Sequence, residues 1–142
     1  MAEGDGAVYN KAKERFLAGE IDLVDHQIDL RMMEGHSPDI DAHEDWGDID
    51  SDEAAGTGYD AGGKAMGSNR SLSIDSGTDT ITFDDSADYT WTGLDCGTPS
   101  HLVMVDDEHG SDALVLYWEL GRASNGGDYT IQFNASGILT LT

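Results

Sequence analysis

Four acidic residues, Asp106, Asp107, Glu108 and Asp112, form a dense set of oxygen donors in one stretch of the sequence. Hard cations such as Ca²⁺ or Mg²⁺ take six or more oxygen ligands, and a loop carrying four carboxylates could supply several of them. The competing reading is a solvated loop, because 29 of 142 residues are acidic and such clusters arise by composition alone. A second acidic stretch, Asp48-Ile49-Asp50-Ser51-Asp52, has the opening spacing of an EF-hand calcium loop. That loop needs Gly at its sixth position and Glu at its twelfth, where this chain has Glu53 and Tyr59. An EF-hand is therefore excluded.

Other chemistries find less support. His36, His43 and His101 match no spaced metal motif and read as surface or turn residues. Cys96 is the single cysteine, so no intrachain disulfide is possible, and a small core residue is the expectation. There is no GxSxG, P-loop or CxxC pattern. Gly56, Gly58, Gly62 and Gly63 lack the strand-to-helix context of a phosphate loop and read as backbone permissiveness at a tight crossing. The sequon at Asn134 falls in an expected strand and is explained by a solvent-facing polar residue. The expectation is a chain without catalysis and without a resident cofactor.

The elements that would position these residues are mainly β. Val8, Ala12 and Phe16 recur at i, i+4 and i+8 and predict a helix over residues 8–18, in a helical unit spanning 7–19 that Gly19 closes. Residues 1–6 are expected to be flexible, and 26–142 to form a β-rich body within one domain covering 1–142. Ile28, Leu30 and Met32 alternate with polar partners and predict a strand, and residues 40–49 a short helix with Trp46 inward. Leu72 and Ile74, then Ile81 and Phe83, flank a Ser76-Gly77-Thr78-Asp79 turn as a hairpin would. Residues 102–105 and 113–120 are apolar enough for central strands. Tyr89 with Trp91, Tyr129 with Ile131 and Phe133, and residues 138–141 supply the rest. About seven short strands and one N-terminal helix predict an antiparallel β-sandwich or barrel.

The charge sets the environment. Seven basic residues against 29 acidic ones leave a net charge of −22, which repels a phosphate backbone and excludes nucleic acid as the expected partner. At molar salt the Debye length shrinks to about 3 Å, and neighbouring carboxylates hardly sense one another. Aspartate dominates over glutamate and lysine is restricted to Lys11, Lys13 and Lys64. The surface is that expected of a protein kept soluble in concentrated salt. No stretch reaches the ~20 apolar residues of a membrane span. Four of the seven positive charges (Lys11, Lys13, Arg15 and Arg31) lie in the first quarter. The helix carrying the first three, together with Tyr9 and Phe16, is the candidate partner-binding surface, against the simpler reading of a solvated face.

The chain resembles a group of small structural proteins of tailed bacteriophages and haloarchaeal tailed viruses. The resemblance runs in order through YNKAKERFLAGEIDL at 9–23, SPDIDAHE at 37–44, GTGYDAGGKA at 56–65 and NGGDYTIQFNASGILTL at 125–141. It departs from the phage pattern in the more polar Val24-Asp25-His26 and in its greater acidity. The resemblance implies a virion component assembled in the host cytoplasm, a capsid decoration protein bound to the major capsid protein or other virion proteins as a small homo-oligomer. A neck or tail component, or a glycan-binding adhesion module using Trp46, Trp91 and Trp118, is the alternative.

Overall fold

A computed structural model of the chain describes residues 5–142. Ten strands and one helix appear in the order β1 (Gly6–Val8), α1 (Asn10–Ala18), β2 (Ile28–Met33), β3 (Lys64–Ala65), β4 (Arg70–Asp75), β5 (Thr80–Asp85), β6 (Tyr89–Trp91), β7 (His101–Asp106), β8 (Ala113–Glu119), β9 (Tyr129–Ile131) and β10 (Leu139–Leu141). They form three antiparallel sheets, ordered β1-β8-β7-β2-β3, β10-β5-β4 and β6-β9. The β-rich class and the single helix agree with expectation, while among the described residues the strands number ten and no sheet closes into a barrel.

The five-stranded sheet is buried on both faces, which its composition allows because β7 and β8 are almost continuously apolar. One face carries Leu30, Met104 and Trp118, the last with its ring 5.5 Å from Phe133. The other carries Arg31, Val103 and Tyr117, and α1 packs there with Tyr9 5.7 Å from Tyr117. A register shift between Met104 and Val105 leaves Val115 as an extra residue in β8, and its carbonyl accepts the Tyr9 N–H at 3.1 Å.

Local departures from the sequence reading have clear causes. Val8 does not open the helix: it pairs with Leu116 as the end of β1, and Tyr9 then turns the chain in extended geometry. Gly6 pairs with Trp118, so that part of the expected flexible terminus is a strand, while residues 1–4 lie outside the described residues. The helix closes on Gly19 as expected, in a left-handed conformation with Gly19 and Glu20 donating to the Phe16 and Arg15 carbonyls. A 3₁₀ turn, Trp46–Asp48, stands where a short helix was expected over 40–49, and a second, Asp50–Asp52, follows it. The sequon lies in a turn, where the Asn134 side chain accepts the Ser136 N–H at 2.8 Å. Cys96 is buried, as expected of a core residue.

The glycine-rich stretch is a tight crossing. At Gly63, φ is +71° and a Cβ would stand 2.1 Å from the Leu30 carbonyl oxygen, so only glycine brings this loop against β2. Tyr59 secures the same crossing, donating its hydroxyl to Glu53 at 2.9 Å and accepting the Met32 N–H at 3.0 Å.

Candidate docking surface

The hairpin of β4 and β5 alternates apolar and polar residues on both strands, and β10 extends the same alternation. Register puts Leu72 beside Phe83 and Phe83 beside Leu139, then Ile74 beside Ile81 and Ile81 beside Leu141. Six apolar side chains in two rows thus share one face, with Ser71, Ser73, Thr82 and Asp84 on the other. Such a face is normally covered by the rest of the fold.

Here it is covered at one end only. Phe83 is buried against the body. Beside it, the Arg70 guanidinium donates to the Leu23 and His26 carbonyls at 2.9 and 2.7 Å, and Asp85 accepts the Tyr89 hydroxyl at 2.6 Å. The outer row stands clear. Ile74 is 78% exposed, Leu72, Ile81 and Leu141 are exposed as well, and nearby Leu17 at the end of α1 is 93% exposed. These are the five large hydrophobic side chains exposed among the described residues, and they surround one region.

Between the overhanging sheet and the body lies a cleft of about 340 Å³, walled by Phe16, Ile21, Asp22 and Leu23 on one side and Leu72, Ile81 and Leu141 on the other, with Asp22 its one charged lining residue. A contiguous apolar patch larger than a few hundred Å² is uncommon on a soluble monomer and marks an interaction site. Burial of such a surface needs no charge pairing, so it retains its affinity where salt screens electrostatics.

The partner-binding helix expected from its charges is largely used up internally. Tyr9 is fully buried and presents no surface to a partner. Arg15 is buried too, because it ties α1 to the segment after β2, donating to the Glu44 carbonyl and the Asp45 carboxylate at 2.8 Å each. Lys11 pairs with Glu14 one turn along the helix. Lys13 is exposed and Phe16 half-buried, and these two border the apolar region. Arg31 likewise serves the interior, bridging Asp29 at 3.1 Å and Asp107 at 2.8 Å with its guanidinium 4.5 Å over Trp46.

The loop carboxylates do not gather around an ion. Both oxygens of Asp106 are occupied, one by the backbone N–H groups of Glu108 and His109, the other by the His26 ring. Asp107 is held by Arg31 and Gln27, Glu108 is exposed, and Asp112 sits at a turn with φ +52°. Among the described residues no three His, Cys, Asp or Glu side chains are placed to hold a metal ion. No helix among them is long and apolar enough to cross a membrane.

Two groupings escaped the sequence. The histidines read as separate surface or turn residues cluster: the His36 ring lies 5.6 Å from His43 and 5.7 Å from His101. His36 is buried and donates from Nδ1 to Asp52 at 2.8 Å, whereas His43 accepts the Asp39 N–H in a turn. Chain distance hides this grouping, since β2, its following loop and β7 bring the rings together. The open face of the overhanging sheet is the second, because alternation is the same whether or not a cover exists. No family model, curated protein or solved structure matches the chain.

Proposed function

We propose that this chain is a non-catalytic structural subunit of a tailed virus particle from a halophilic host, a decoration protein on the major capsid shell. The apolar face of the three-stranded sheet is its assembly contact. The observation that carries the reading is the confinement of the exposed Leu17, Leu72, Ile74, Ile81 and Leu141 to one region of a molecule with a net charge of −22. An acidic exterior supports solubility in concentrated salt, and an uncharged face supplies affinity there.

A neck or tail position would use the same contact. The glycan-binding alternative loses support, because Trp91 and Trp118 are buried and the ring of Trp46 lies under Arg31.

The test is uptake of the recombinant chain by purified particles in molar salt, with a density map locating it. Symmetry-repeated density on the shell is the expected result, and occupancy falls at least about tenfold for Ile74→Asp, since a buried charge without a partner costs well over 1.4 kcal/mol. Failure of the wild-type chain to bind particles would sink the virion role.

A further inference from the structure

We propose that the apolar cleft receives a segment of another particle protein that sets one lysine or arginine among apolar residues, the basic group pairing with Asp22. The inference rests on this region being an assembly contact and adds the chemistry of the partner.

Asp22 is the one charged residue among the nine that line the cleft, the others being Phe, Ile and Leu. Local chain geometry fixes it there. Its Oδ1 accepts the Val24 and Asp25 N–H groups at 2.9 Å each as the chain turns after Ile21. Those bonds, that from Asp25 first, hold its carboxyl below the ordinary value, so Asp22 is an anion at neutral pH. Its second oxygen, Oδ2, has no partner among the described residues.

The cations nearby are committed elsewhere. Arg70 gives its guanidinium to the Gly67, Leu23 and His26 carbonyls. The His26 ring is bonded to Asp106. Lys13 lines the adjoining hollow beyond Phe16, Leu139 and Leu141, with its ammonium on Asn10. The demand at Asp22 is left to whatever fills the cleft.

An all-apolar occupant would strip solvent from an ionised carboxylate and leave it unpaired, which is strongly unfavourable. A neutral donor offsets part of that loss, and a charge-assisted bond from Lys or Arg is about twice as strong. Apolar burial thus supplies affinity, while Asp22 selects among apolar partners. Once covered, the pair is out of solvent and molar salt screens it far less than a surface pair.

Octylammonium chloride and octanol carry the same chain with and without a cation, and both are titrated into the full chain at sub-micellar concentration. The salt is the lowest that preserves the circular dichroism spectrum. Octylammonium should bind at least about tenfold tighter, with NMR shifts at Phe16, Leu23 and Leu72. Asp22→Asn keeps an acceptor for both backbone N–H groups and should bring the two probes within about twofold of each other. Asp25→Asn removes the same charge from an exposed neighbour and should leave the preference intact. In molar salt, uptake by particles should fall at least about tenfold for Asp22→Asn and hold for Asp25→Asn. Equal binding of the probes, or a preference that survives Asp22→Asn, overturns the proposal. Uptake indifferent to Asp22→Asn but lost with Ile74→Asp overturns the basic segment and leaves the assembly contact standing. A wild-type dimer in ~3 M salt that dissociates with Asp22→Asn overturns the other protein and puts a second copy in the cleft. If particles take up no wild-type chain, the assembly reading falls, and an octylammonium preference that depends on Asp22 still upholds the choice of an apolar cation.

Discussion

His26 donates its ring Nδ1–H to Asp106, a fully buried carboxylate, across 2.7 Å. The bond fastens the loop after α1 to the end of β7, and Asp106 uses its other oxygen to cap the turn that follows. The hydrogen bond to Asp106 is the main cause that holds the His26 pKa above its ordinary 6.5. A histidine raised in the fold stabilises fully below its unfolded pKa and loses that contribution as pH rises through the folded value. Melting temperature is therefore expected to fall as pH rises above about 6.5. Thermal melts of His26→Gln across that window should show a flatter slope than wild type.

His101 has the opposite sign. Burial, followed by the neighbouring His36, pushes its pKa below 6.5, and Glu119 opposes them weakly. A depressed histidine favours the fold fully above the unfolded pKa, and that contribution is lost as pH falls through the folded value. His101→Gln should lessen the decline in stability on the acid side of about 6.5 and leave the alkaline side to His26. Calorimetric melts of the single and double variants separate the two slopes, because the side chains sit at opposite ends of β7.

Gly63 and Gly19 test what a left-handed glycine is for. Both have φ near +70°, yet a Cβ at Gly19 meets nothing within 4 Å, whereas at Gly63 it strikes the Leu30 carbonyl. Gly19→Ala should cost about 1 kcal/mol, the backbone penalty alone. Gly63→Ala should cost about 3 kcal/mol or more, since a loop packed on β2 must also move away. Denaturant titration of both variants gives the difference.

Arg15 is a structural residue on a helix that looks like a basic surface. Arg15→Met should destabilise by about 2–3 kcal/mol, because the Glu44 carbonyl and Asp45 lose a part-buried donor. Lys13→Met should leave unfolding in denaturant unchanged, since its side chain is exposed and its partner is the neighbouring Asn10. Equal losses for the two variants would contradict the division between interior and surface charges.

The parts of the fold legible in the sequence are those fixed by local chemistry. Ser76-Gly77-Thr78-Asp79 sits between matched alternating runs, and β4 and β5 form there, with Asp79 at φ +52°. Gly19 ends α1 for the same kind of reason. What stayed hidden depends on contacts distant in sequence. Asp29 and Arg31 looked like the solvent side of a strand, but Asp107 and Trp46 arrive over them and bury both. Arg15 looked like surface charge until the chain returned at Asp45. The site was missed for the converse reason: Ile74 and Ile81 have the pattern of core residues, and only the absence of a cover above them, a property of the whole fold, makes them a surface.

Cys96 adds a practical consequence. Its thiol is buried beside Ser124, and desolvation keeps its pKa above the ordinary value, so in the closed fold it is both shielded and protonated. Because it is the chain's single thiol, every alkylation event would mark one molecule in which this region had opened. The molecule thus carries its own clock for breathing, read by mass, with no label to introduce and no second cysteine to confuse the count.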